Sequence, residues 1–306
     1  MQNTKTTCCV LKMIEEEFTM KPEIEQLAQQ IKEADAILIG GGSGMSNAAG
    51  MNFWYEASPL FLKYMSYFHD KYHFEGVFNG YYSHFDSLEE RWAFNIMAWD
   101  MIFNIPSQKP TYDYLKMVIG EKPVHIVTTN QDGLFKKYFP ESQVSEIQGS
   151  DYFLQSKNTA TDKNLYDTQK IVKELLPKIK NNRLPREYFP KSEVDGAPLI
   201  VWARGPEFLE DQRYNAEYQK INRFLGQHKN ENILFLEMGV GRMTPMFIQE
   251  PFWEMTYYMA NSHYVNINPK DAITSPEIQD RSLLIGADIN EVLKETAAVM
   301  NGGQHA

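Results

Sequence analysis

Two cysteines, Cys8 and Cys9, are all the thiol chemistry this 306-residue chain holds. Adjacent thiols make a poor disulfide framework, and two cannot form a four-thiolate zinc site. A reducing, cytoplasmic setting is the expectation. Basic side chains are short as well: 30 against 40 acidic ones, a net charge of −10, leave no cationic footprint for nucleic acid. Long apolar runs are also missing near the start. The stretch from Cys8 to Met13 is broken by Lys12 and followed by Glu15, Glu16 and Glu17, which predicts neither a signal peptide nor a membrane span. Hydrophobic residues still make up 43% of the chain, enough for a sizeable core in one large domain or about two ordinary ones.

What is present centres on Ala36 to Gly50, AILIGGGSGMSNAAG. The apolar run Ala36 to Ile39 has the character of a strand buried on both faces. Gly40, Gly41, Gly42 and Gly44 follow, interrupted only by Ser43. Without Cβ atoms, backbone N–H groups there can approach a ligand closely. A helix beginning near Met45 would add a field that favours an anion. Strand, glycine turn and helix start is the layout of a diphosphate cradle, and equally that of a tight surface turn. The acidic balance does not exclude a nucleotide, because such turns bind phosphate without a basic surface.

Along the chain, residues 1–20 read as a variable arm. Ile24, Leu27, Ala28 and Ile31 give Lys21 to Glu33 the spacing of an amphipathic helix. Residues 53–105 are dense in Phe, Tyr and Trp, without strand alternation, and Leu88 to Phe103 reads as helix. Lys109 to Ile119 is a further helix. Val124 to Val127 is a second buried strand, ending in the polar group Thr128, Thr129, Asn130, Gln131 and Asp132. Ser145 to Ser150 is a short strand with its own glycine turn. Ile233 to Leu236 runs into Gly239, Val240 and Gly241, and Tyr264 to Ile267 ends at Asn266 and Asn268. Asp288 starts a last helix, with Glu291 in capping-box position. Buried strands alternating with helices predict an α/β protein with a Rossmann-like, doubly wound parallel sheet and a smaller inserted module. Four strand ends carry Gly or Asn turns on one expected edge of that sheet.

A dehydrogenase would place an acidic residue at a strand end roughly 20 residues beyond the glycine turn. Phe61 to His69 is aromatic and helical instead, which disfavours hydride transfer. The motifs themselves point elsewhere. GSGMSNAAG resembles the GAGxSxxxG turn of the sirtuins, TTNQDGLF their TQNID segment, and EIQGS their E-x-H-G turn. GVG and NIN fall where that family keeps later cofactor turns. The resemblance runs from about residue 21 to the end, and is strongest to the macrodomain-linked microbial sirtuins. It implies a Rossmann-like NAD-binding domain over 21–54, 107–151 and 230–300, a helical insertion over 55–106, and a small zinc-free module over 152–229. It also implies site roles. Gly42, Ser43, Gly44 and Ser46 would face the diphosphate and adjoining ribose. Asp132 would hold the nicotinamide carboxamide, with Asn130 beside the nicotinamide ribose. Gly239, Val240, Gly241, Asn266 and Asn268 would surround the adenosine half, and Trp54 and Gln131 would also line the cofactor.

Three departures shape the functional expectation. Gln148 stands where deacetylating sirtuins have a general-base histidine. An amide cannot take a proton near neutrality, although it can still hydrogen-bond a ribose hydroxyl. Trp54 and Tyr55 replace a Phe-Arg pair, keeping the ring and losing the guanidinium. Ser156 and Ala160, then Ser192 and Asp195, occupy the two cysteine-pair positions, so no zinc is expected and the module must hold by packing. Transfer of ADP-ribose to a protein acceptor is the leading expectation, with Asn130, Asp132 and Gln148 catalytic. The resemblance suggests a lipoyl-carrier protein as the acceptor. An NAD glycohydrolase and an inactive NAD- or ADP-ribose-binding module remain the alternatives.

Overall fold

A computed structural model describes residues 21–302; the expected arm at 1–20, with Cys8 and Cys9, lies outside the described residues. Nine strands stand among them: β1 (Ala36–Gly41), β2 (Val124–Thr128), β3 (Val144–Glu146), β4 (Gly149–Ser156), β5 (Leu165–Asp167), β6 (Leu199–Ala203), β7 (Ile233–Met238), β8 (His263–Ile267) and β9 (Ser282–Ile285). Six form a sheet in the order β3-β2-β1-β7-β8-β9, the strand order of a doubly wound Rossmann-like fold. Strands β1, β7 and β8 read as continuous apolar runs because nearly every residue in them is buried. Their pairing is parallel, and Gly41 lies opposite Met238, which lies opposite Ile267. The turns after these three strands therefore leave the sheet at one level.

The chain divides into two compact units. One holds 21–45, 110–126 and 224–302 of the described residues, and the other holds 46–109 and 127–223. In the first, the helix Lys21–Glu33 buries Ile24, Leu27 and Ile31, each burial stabilising by about 1.5–3 kcal/mol. The helix Ile289–Gly302 begins as its sequence predicts, with Asp288 Oδ1 accepting from Glu291 N–H at 3.1 Å.

In the second unit, residues 55–106 carry the helices Pro59–Tyr72, Val77–Tyr82 and Leu88–Asn104 and no strand. Ser58 and Ser87 cap the first and last. Phe68, Phe74, Phe85 and Phe94 pack ring against ring, with Phe74 and Phe94 centroids 5.3 Å apart. Strands β5-β4-β6 form a small antiparallel sheet, and Trp202, Leu209 and Tyr214 make its hydrophobic cluster.

Packing alone does not hold this module, contrary to the sequence expectation. Ser192 Oγ donates to Asp162 Oδ2 at 2.7 Å and accepts from Val194 and Asp195 N–H. Tyr166 OH donates to the same Asp162 oxygen at 2.6 Å, and Thr161 bonds Asp195. Ser156 Oγ accepts from Asn158 N–H, while Ala160 is exposed. Burial acts to raise the Asp162 carboxyl, but the bonds from Tyr166, Asn164 N–H and Ser192 outweigh it and hold the group below its usual range. Three of the four cysteine-slot residues thus join a hydrogen-bonded network centred on Asp162. Among the described residues no helix is long and apolar enough to cross a membrane.

Candidate cofactor site

In the first unit the predicted glycine turn exists, but its glycines answer mainly to each other. A Cβ on Gly42 would lie 2.4 Å from Gly239 O and 2.5 Å from Val240 Cα. One on Gly44 would lie 2.5 Å from Gly239 Cα, and one on Gly239 would lie 2.5 Å from Gly44 Cα. Gly239 also holds φ +62°, a conformation that favours glycine. The turns after β1 and β7 are therefore backbone against backbone. Gly42 N–H donates to Met238 O, Gly44 N–H to Gly239 O, and Met45 N–H to Gly42 O, at 2.9 to 3.0 Å. These three N–H groups are taken up by the fold itself. Half-exposed Ser43 and Gly44 remain to face a ligand.

Asn266 and Asn268 also bond the main chain, while Asn266 Oδ1 is buried without a hydrogen-bond partner. Asn266 Nδ2 donates to the carbonyls of Asp271 and Ile273. Asn268 accepts from Lys270 and Asp271 N–H and donates to Val240 O at 3.0 Å. Both amides set the loop after β8 and the turn after β7, giving the site its shape. Gly241 is exposed, with nothing near an added Cβ.

In the second unit the predicted residues meet through their side chains. Ser46 Oγ donates to Asp132 Oδ2 at 2.5 Å and accepts from Asn130 Nδ2 at 3.1 Å. Asp132 Oδ1 accepts from Leu134 N–H at 3.0 Å, and Asn130 N–H is held by Thr128 Oγ1. All three side chains are buried. Burial pushes the Asp132 carboxyl up, against the bonds from Ser46 and Leu134 and the charge of Lys137. Lys137 was not anticipated. Its ammonium donates to the Ile102 and Phe103 carbonyls, and burial lowers its pKa.

The remaining predicted residues sit in the same unit. Gln131 donates from Nε2 to the Gln148 carbonyl at 3.1 Å, and its own carbonyl accepts from Asp151 N–H. Gln148 is half-buried, its carbonyl also accepting from Arg204 N–H. Trp54 stacks on Phe53 and leans on Tyr81, with its indole N–H buried and lacking a hydrogen-bond partner. Among the described residues no three His, Cys, Asp or Glu side chains are grouped to hold a metal ion. Asp151, one residue beyond the EIQGS motif, also went unanticipated; a lone acid in a strand carries little signal.

This geometry can be set beside known proteins. No family model matches the chain. A protein ADP-ribosyltransferase of Staphylococcus aureus is 31% identical over 304 residues, covering 98% of this chain and 93% of that protein. A solved structure addressing sirtuin substrate affinity covers 92% of this chain and 99% of its own at TM-score 0.55 and 14% identity. The chain belongs to the sirtuin family. A Sir2 homologue solved with NAD shares the fold at TM-score 0.54 and 15% identity, over 91% of this sirtuin and 94% of its own chain. A probable bifunctional ADP-ribose hydrolase/ADP-ribosyltransferase of Fusarium oxysporum is 24% identical over 252 residues, 77% of this sirtuin but 40% of that protein.

Proposed function

We infer that this sirtuin is an NAD-dependent protein ADP-ribosyltransferase, cleaving the nicotinamide–ribose bond and passing ADP-ribose to a protein acceptor. The near full-length similarity to the Staphylococcus aureus ADP-ribosyltransferase carries this reading. The residues present suit NAD on their own terms. A polar set buried almost completely (Ser46, Asn130 and Asp132) offers directed donors and acceptors without a metal. In the turns of the first unit, half-exposed Ser43 and Gly44 and exposed Gly241 are left to meet a ligand.

NAD supplies a cationic glycosidic linkage from which nicotinamide leaves as a neutral group. The chain's part is to hold and orient. Ser43 and Gly44 would meet the diphosphate, and the Gly239–Gly241 turn, shaped by Asn266 and Asn268, the adenosine half. Asp132 would bind the carboxamide, with its free geometry fixed by Ser46. Asn130 would order the nicotinamide ribose, and Trp54 would exclude water from it. Gln148 can bind a ribose hydroxyl but has no proton to exchange near neutrality, so deacetylation is not expected. The acceptor would be a cytoplasmic protein, with a lipoyl carrier as first candidate.

Incubation with NAD, with and without acceptor protein, tests the reading through free nicotinamide and labelled acceptor. Acceptor-dependent label supports transfer. Nicotinamide release that ignores the acceptor supports a glycohydrolase, and no release under any condition supports a binding module.

A further inference from the structure

One cation beside the network of Ser46, Asn130 and Asp132 has no part in the reaction as proposed. Asp132 and Lys137 stand at opposite ends of the short helix Leu134–Tyr138. At the first end, Asp132 Oδ1 accepts from Leu134 N–H at 3.0 Å and Oδ2 accepts from Ser46 at 2.5 Å. At the second, Lys137 is exposed along its stem and turns its ammonium in to the last turn of the helix Leu88–Asn104. It donates there to Phe103 O at 3.0 Å and to Ile102 O at 3.3 Å. Carbonyls at a helix C-terminus lack donors and carry partial negative charge, so a lysine among them ties the helix end and is favoured as the cation.

That charge is not cancelled on the spot. Lys137 borders a cavity of about 310 Å³ together with Lys136, Glu141, Glu146 and Arg213. Both carboxylates are engaged elsewhere, Glu146 with Lys136 at 2.7 Å and Glu141 with Arg213 at 3.1 Å. The Lys137 ammonium spends its bonds on neutral carbonyls, and its field reaches Asp132, favouring the anion against burial. The other ionisable groups that act with Asp132 are Asp151 and Tyr152 of β4. Burial pushes both upward, Tyr152 to about 12, and neither supplies a compensating charge. A carboxamide donates through its N–H groups, so it calls for Asp132 as an ionised acceptor.

We propose that Lys137 is a positioning residue for the nicotinamide end of the cofactor, keeping Asp132 an acceptor by its charge and fixing the helix between them by its grip on the helix Leu88–Asn104. This rests on the reading that Asp132 binds the carboxamide. The Asp132 carboxyl carbon is followed by NMR across pH in the full chain labelled with carbon-13 at aspartate, its signal assigned with Asp132→Asn. NAD affinity is measured over the same range. Lys137→Met and Lys137→Gln, the second keeping a donor for the carbonyls without the charge, should each raise the Asp132 midpoint by about one pH unit. NAD affinity should begin to fall about one pH unit higher as well, which is about tenfold weaker binding on that limb. Lys137→Arg, which keeps the charge, should leave the midpoint within about 0.3 of the wild-type value. A lysine that serves only as a tie would lower stability in Lys137→Met and leave the midpoint in place. If the methionine variant does not fold, the glutamine variant is read alone. The proposal is overturned if the charge-removing variants leave the midpoint unmoved, or if Lys137→Arg shifts it as far as they do. If the midpoint moves and NAD affinity does not follow, the coupling stands, but Asp132 does not hold the carboxamide and the positioning role falls with that reading.

Discussion

The two sets of predicted site residues, one in each unit, are built from opposite materials. In the unit of the strand β1 and β7 turns, the work is done by backbone. Gly42 and Gly44 each pack on Gly239, and the amide N–H groups of Asn266 and Asn268 donate to main-chain carbonyls. In the other unit it is done by side chains, with Ser46 bridging Asn130 and Asp132 in a buried network. The first kind of region tolerates almost no added atom, whereas the second tolerates isosteres and fails when a functional group is lost. Shape and chemistry are thus separable by mutation.

Gly44→Val should show the largest effect and the least selective one. Its Cβ would meet Gly239 Cα at 2.5 Å, backbone that cannot step aside. Denaturation should register a loss of more than about 3 kcal/mol, with NAD binding lost alongside. A variant of wild-type stability that merely fails to bind NAD would mean the glycine serves the ligand rather than the neighbouring turn.

Asp132→Asn and Asn130→Ala should do the reverse. Each should lower nicotinamide release on the order of a hundredfold through misordering of the reacting ribose, while the melting temperature moves little for the isosteric asparagine. If Asp132→Asn unfolds the protein before it slows turnover, the network is structural and the contrast fails.

Gln148→Ala should cost about tenfold in turnover, and the rate between about pH 5 and 8 should stay as flat as in the wild type, since an amide carries no proton to lose. A titration that vanishes with the amide would overturn that role. Ser192→Ala should be the mildest, costing about 1–3 kcal/mol of stability for the bonds around Asp162 and leaving nicotinamide release unchanged. Asp162 lies below its usual range in the folded state. The stability it contributes is present above its unfolded pKa and is lost as pH falls through the folded value, so Ser192→Ala should matter least in acid.

Much of this was legible in the sequence, and the exceptions share a cause. Strands β1, β2, β7 and β8 announce themselves because strands buried on both faces are unbroken apolar runs. The order of the sirtuin motifs singled out Ser46, Asn130 and Asp132, which the fold joins by hydrogen bonds. Glycine, however, records only that something lies close, not what. At Gly42 and Gly44 the close neighbour is Gly239 and Val240, some 200 residues away in sequence. The bond between Asp162 and Ser192 spans 30 residues of polar chain, and Asp151 has no periodic pattern around it. Strand β9 is short and half-exposed, so its four residues lack the run that betrayed the others.

Glu237 sits in the middle of this sheet with no exposure at all, one strand position before Met238 and the Gly239 turn. Tyr264 OH donates to it at 2.8 Å and Gln249 Nε2 at 2.9 Å. Burial prevails over both bonds and raises its carboxyl to about 7. At neutral pH, then, the folded chain carries roughly half a proton here that the unfolded chain has released. Folding near pH 6 draws a proton from solution, and the heat of refolding should change with the ionisation heat of the buffer. Because the folded state holds the proton more tightly, stability falls as pH rises from about 4.5 to 7 and then levels. Glu237→Gln should reduce both the buffer dependence and the slope by this residue's share, the raised carboxyls of Asp132, Glu146 and Asp151 keeping the rest. The sheet that carries the turns is therefore also a proton acceptor, and it is firmest on the acid side of neutrality.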